Sequence, residues 1–148
     1  MNARGALSPK AFLLVLLAGA CSRSPADEAE KQVATLHSWT AAAGMAVEAW
    51  AAGRVTTPYT TRTLEVGAAE VRQAARSLEE KLPALTGEPA AAAAEGAVCA
   101  RQAASHLAAA RVSVARGDRA NAIAAAHMLA VDAGVLSASD GVLRGKSR

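Results

Sequence analysis

Aromatic side chains are almost missing from this sequence: Phe12, Trp39, Trp50 and Tyr59 are the only ones in 148 residues. Strands draw on aromatic and β-branched residues, so their scarcity argues against a sheet-based fold. Cysteine is equally scarce, and Cys21 and Cys99 could form one bridge only if Cys21 were free. No phosphate-binding loop, paired zinc-binding CxxC, HExxH, nucleophile elbow, haem-attaching CxxCH or di-iron ExxH occurs. That removes any positive reason to expect an enzyme, although catalytic triads assemble in space rather than in sequence. An excess of one charge is also lacking. The formal charge is +3, and Arg62, Arg72, Arg76, Arg101, Arg111 and Arg116 are interspersed with acids and alanines. A nucleic-acid surface needs basic clustering, so no nucleic-acid partner is expected.

What is present in quantity is alanine, the residue with the best helix propensity, and the expected fold class is all-α. One domain fits the length.

The N-terminus has three parts: a basic stretch with Arg4 and Lys10, a short apolar run over 11–20, and the small residues Ala18, Gly19 and Ala20 before Cys21. This is the layout of an export signal, and the run is too short for a membrane span of about 20 residues. Removing it leaves 14 basic against 13 acidic residues, a net of +1. The segment "LAGAC" resembles the lipobox of bacterial lipoproteins, with Gly19, Ala20 and Cys21 matching. It departs at Ala18, where that family usually has leucine; Leu17 stands one place earlier. The resemblance implies cleavage before Cys21, a diacylglycerol thioether on its sulfur and an acyl chain on its new amino group. It also implies a protein of the cell envelope held to the membrane by lipid. Ser22, rather than the aspartate linked to inner-membrane retention, points to the outer membrane, facing the periplasm.

Beyond the signal, punctuation and periodicity mark four helices. Ser24-Pro25-Ala26-Asp27 supplies a cap, a proline at the first helical position and an acid at the third, opening a helix that runs to about Ala52. On it Leu36, Trp39, Ala43, Ala46 and Trp50 recur at steps of three and four, which makes Trp39 and Trp50 the expected core aromatics. An aromatic ligand platform is the functional alternative. Thr57-Pro58 opens the second helix, with Leu64, Val71, Ala75, Leu78 and Leu82 as its seam before Pro83. A third runs from about Pro89 to Arg116, with Cys99, Ala103, Leu107, Ala110 and Val114 on one face. In "ARGDRANA", Gly117 suits the left-handed position after a helix and Asp118 suits the next cap. A turn thus accounts for the adhesion-like triplet Arg116-Gly117-Asp118. The fourth helix is expected to end near Leu136, before a flexible tail over 137–148 rich in Ser, Gly and basic residues.

The expected organisation is a signal over 1–20, a lipidated cysteine and tether over 21–25, a bundle domain over 26–136 and the tail. Two short-linked hairpins suggest an antiparallel four-helix bundle. The alternative is a tetratricopeptide-like pair for the last two helices, although no array at a period near 34 residues accompanies it.

The one constellation worth testing for chemistry is His106 with His127. Each stands about ten residues from the turn, so a hairpin would bring them to a similar height, where they could share a metal ion or serve as haem ligands. Two imidazoles fall short of the four ligands of structural zinc. Cys99, two helical turns from His106, reads as a small buried hydrophobe, and His37 as an isolated side chain. The expected function is a lipid-anchored binding or structural module without catalysis and without a cofactor. Its partners would be the membrane and an envelope protein, and the rivals are a metal- or haem-binding bundle and a tetratricopeptide-like scaffold for protein interaction.

Overall fold

The structure, a computed structural model, describes residues 24–146; the signal, Cys21 and the first tether residues lie outside them. Four helices account for nearly all of this span: α1 (Pro25–Ala51), α2 (Thr57–Lys81), α3 (Gly87–Arg116) and α4 (Arg119–Lys146).

Local chemistry explains their limits. At the start of α1 the Ser24 hydroxyl accepts the Asp27 N–H at 3.1 Å, and the Ser24 N–H donates to the Asp27 carboxylate at 3.2 Å. This reciprocal capping box satisfies two of the amide groups that a helix start leaves without partners. The cap of α2 is Thr56 rather than Thr57. Thr57 is the first helical residue, and its hydroxyl accepts the indole N–H of Trp50 at 2.9 Å, tying the end of α1 to the start of α2. Pro83 sits in a short 3-10 turn, Leu82–Ala84, that ends α2. Gly117, at φ 72°, closes α3 in the left-handed region, and the Asp118 N–H reaches back to the Ser113 carbonyl at 2.9 Å. Asp118 then caps α4 by accepting the Asn121 N–H at 3.1 Å. That hydrogen bond is the main reason its carboxyl is held below its ordinary range.

The helices form a closed antiparallel four-helix bundle in which each packs on the next in sequence and α4 packs back on α1. The α1–α4 contact is the most extensive of all. A stacked pair of tetratricopeptide-like hairpins would leave α1 and α4 apart, so that alternative is set aside. Lys81 with Glu28, Arg101 with Glu79, Arg111 with Glu65 and Arg144 with Glu30 link neighbouring helices at the surface. Exposed pairs of this kind contribute little, because solvent screens them and ordering two long side chains opposes them; the fold rests on its core.

That core is built of leucine, valine and alanine. Leu36, Leu64, Leu78, Leu107, Leu129, Leu136 and Leu143 are its largest fully buried side chains. Small residues set the spacing: a Cβ on Gly67 would meet Trp39 and Leu107 at 3.7 and 3.8 Å, and one on Gly96 would meet Val33 at 3.2 Å. The expected faces of α2 and α3 hold, with only Leu82 partly exposed. On α1 the buried stripe is rotated: Val33, Thr40, Val47 and Trp50 point inward, while Trp39 and Ala46 lie at its edge, partly exposed. Trp39 is too large for the close α1–α2 approach at Gly67 and packs beside it.

The tail needs correction. The fourth helix does not stop at Leu136 but continues to Lys146. Leu136, Ser139 and Leu143 extend the inward stripe at helical spacing and are buried, and Arg144 pairs with Asp140 on α4 and with Glu30 on α1. Packing on α1 outweighs the weak helix propensity of the Ser/Gly-rich sequence.

Candidate functional site: a half-buried histidine and a buried aspartate

The α3–α4 hairpin places a charged cluster within a mostly apolar bundle, whose other buried polar side chains are hydroxyls. His106 of α3 and Asp132 of α4 meet, with Nδ1 and Oδ2 2.6 Å apart. The Asp132 side chain is 5% exposed and that of His106 26%. On helical rise, His106 stands about 17 Å from the turn and Asp132 about 22 Å. Side chains tilt toward the N-terminus of their own helix, so His106 leans away from the turn and Asp132 leans toward it. The two tilts close the difference in height.

The same geometry explains why His106 and His127 do not pair. His127 stands about 14 Å from the turn, and its tilt moves it farther from His106. It also lies five residues before Asp132, about 140° around the helix, and it is exposed. His106, one of the two histidines of the rival metal- or haem-binding reading, thus meets Asp132 rather than His127. Among the described residues no group of three or more His, Cys, Asp or Glu side chains could hold a metal ion. His37 is partly exposed on α1.

Asp132 makes a second contact. Its backbone carbonyl accepts the Cys99 S–H at 3.4 Å, so Cys99 and His106, two turns apart on α3, both converge on one residue of α4. Thr40, fully buried on α1, lies at the same level. Gly44 faces Ala126 and Leu129 while Glu30 reaches Arg144, a register that sets Thr40 opposite Asp132. The Thr40 hydroxyl has no hydrogen-bond partner.

A carboxylate that fixes an imidazole tautomer is half of a general-base arrangement, but the nearby thiol is not poised as a nucleophile. Cys99 is 4% exposed, and burial first, then the negative charges of Asp132 and Glu95, push its thiol up to about 11. A protonated thiol is a poor nucleophile. Folded protein at pH 8 should therefore react with a disulfide reagent far more slowly at Cys99 than unfolded protein does, as thiol titration with and without denaturant would measure. The linkage has a definite sign. An unfolded thiol ionises near 9 and the folded one near 11, so the stabilisation associated with this group is full below pH 9 and is lost as the pH rises through 11.

Asp132 was the residue that sequence reasoning missed, although a signal existed. It interrupts the apolar stripe of α4, three residues after Leu129 and four before Leu136, and both leucines are fully buried. A lone carboxylate on a buried stripe requires a partner from a neighbouring helix.

Comparison with known protein families, with curated proteins and with solved structures found no match to this chain.

Proposed function

We propose that this chain is a lipid-anchored protein of the bacterial envelope whose helical bundle is a binding or structural module rather than an enzyme. The observation that carries this reading is Cys21, set after Ala18, Gly19 and Ala20 at the end of a short apolar run. Support comes from the capping box at Ser24, three residues later. On this reading the folded domain starts almost at the anchor, with a tether of about 10 Å at full extension. Burial of acyl chains contributes about 0.8 kcal/mol per methylene, so two or three chains suffice for stable attachment. Arg144 lies against Glu30 near the start of α1, so the end of the bundle nearest the lipid would hold the first turn of α1, the α2–α3 connection and the last turn of α4. The module reading is supported by the inward use of the polar groups: Asp132 is engaged by His106 and Cys99. Ser22 favours the outer membrane, with an envelope protein as partner.

Mass spectrometry of the mature N-terminus tests the reading. The expected product begins at Cys21 and carries a diacylglycerol and an amide-linked acyl chain. Cys21→Ala should abolish both the lipid and processing at this site. A mature chain that begins elsewhere and is recovered free in the periplasm would overturn the proposal.

A further inference from the structure

The side of the bundle between α2 and α3 carries a groove floored largely by alanine: Ala68 and Ala75 of α2 with Ala100, Ala104 and Ala108 of α3. Its ionisable side chains are four arginines, Arg72, Arg76, Arg101 and Arg111, and two glutamates, Glu65 and Glu79. These residues are scattered along the sequence, and the antiparallel packing of α2 on α3 gathers them into one strip.

The strip is ordered. At one end Arg111 holds Glu65, which Arg62 also contacts, and at the other Arg101 holds Glu79. Between these paired ends, about 21 Å apart along α2, Arg72 and Arg76 are exposed, and among the described residues neither meets an acid. Glu80, one turn beyond Arg76, lines the groove between α1 and α2 instead, beside Lys81. Two guanidinium groups one helical turn apart, about 6 Å along the axis, therefore stand without partners over an apolar floor.

We infer that this groove is the docking site for an acidic helical segment of a different protein, whose two carboxylates, one turn apart, pair with Arg72 and Arg76. The inference rests on the module reading above, for which it names the chemistry of the partner, and it does not depend on the lipid anchor. Charge complementarity selects this occupant. The planar fork of a guanidinium matches a carboxylate through two parallel hydrogen bonds, and acids at positions i and i+4 of a helix repeat the spacing of the two arginines. An alanine floor lets a helix settle into the groove, yet offers little apolar area for a membrane to cover. A polyanion such as a nucleic-acid strand, extended along the groove, would lay its phosphates against Glu65 and Glu79, whereas a protein segment can be neutral at those points. A second copy fails on composition. Asp27 and Glu30 are the only acids of this chain one helical turn apart, and they are engaged by Ser24 and Arg144.

Fluorescence anisotropy with the full mature chain in a neutral detergent tests it. The probe is a labelled alanine-based helix of about 18 residues, long enough to span the groove, with two glutamates four residues apart; control peptides carry glutamine or lysine at those positions. The glutamate peptide should bind about tenfold tighter than the glutamine peptide, the joint effect of two exposed charge pairs. Arg72→Glu combined with Arg76→Glu should lose the glutamate peptide and bind the lysine peptide instead, a gain that also shows the variant to be folded. Equal binding of the glutamate and glutamine peptides overturns the inference, as does binding that survives the charge reversal. A preference for a single-stranded oligonucleotide or for phosphatidylglycerol vesicles, dependent on the same two arginines, overturns it by assigning the strip to phosphate. Photo-crosslinking in the producing bacterium separates this failure from failure of the module reading. A benzoylphenylalanine at Ala108, exposed in the groove, should join the chain to another protein through a peptide that contains the acidic pair. Protein adducts formed only from Ala138, on the exposed side of α4, keep the module reading and overturn the inference; no protein adduct from either position overturns both.

Discussion

Replacing Asp132 by alanine should lower the midpoint of thermal unfolding by about 10 °C, corresponding to about 3 kcal/mol for a bundle of this size. The carboxylate is 5% exposed and 2.6 Å from His106. Its removal leaves the imidazole nitrogen facing a void in the α3–α4 interface, and a partly buried polar group without its partner costs most of its desolvation free energy. Loss of the carboxylate also empties volume in a core of small side chains, which cannot move in to fill it. The replacement of both partners should behave differently. His106→Phe with Asp132→Leu removes the polar groups while keeping bulk, and should recover most of the lost stability, because a buried pair is often no better than well-packed apolar residues. Circular dichroism melts of the three variants separate these effects. A shift of under about 2 °C for Asp132→Ala would mean that the pair contributes nothing to holding α3 against α4.

The second large effect is expected at Leu107. Its side chain is fully buried and lies 3.8 Å from the position a Cβ on Gly67 would occupy. Ala103 and Ala110 flank it on the same face of α3, both fully buried. Leu107→Ala should cost about 3–5 kcal/mol, at the upper part of the range for leucine truncation. The reason is the alanine-rich setting: collapse around a cavity depends on neighbours with rotatable side chains, and alanine and glycine have none. Against a total stability of about 5–15 kcal/mol this is a large fraction. Urea unfolding provides the measurement, with a lower midpoint and an unchanged slope. A loss of under about 1 kcal/mol would show that the helices close around the gap.

The chain made several features of this fold legible because they are local. Ser24, Pro25 and Asp27 act within one helical turn, and the capping box forms where their order implies. Gly117 and Asp118 likewise end one helix and start the next with hydrogen bonds that span only a few residues. The face of α2 could be read because Leu64, Val71 and Leu78 are apolar against a polar background, and that of α3 because Cys99, Ala103, Leu107, Ala110 and Val114 recur at helical spacing. On α1, alanines surround the helix on most sides, so periodicity could not settle its rotation, and the inward stripe settled on Val33, Thr40 and Val47. The last turns of α4 escaped notice for a related reason. Serine and glycine read locally as a tail, yet Leu143 is buried and Arg144 is held by Glu30 across the bundle.

The candidate site divides along the same line. His106 stood out in the sequence, but its partner did not, because a partner is defined by relative height and rotation of two helices. A hairpin turn sets approximate height alone. By that measure His127 looked suitable, and the opposed tilts of side chains on antiparallel helices selected Asp132 instead. The sequence by itself determined helix, the helix starts and the connections, since propensity and capping act over about four residues. Only the tertiary structure decided which faces turn inward, how far α4 extends and which side chain meets His106. Those outcomes follow from burying the most apolar surface of all four helices at once, a condition that no single segment contains.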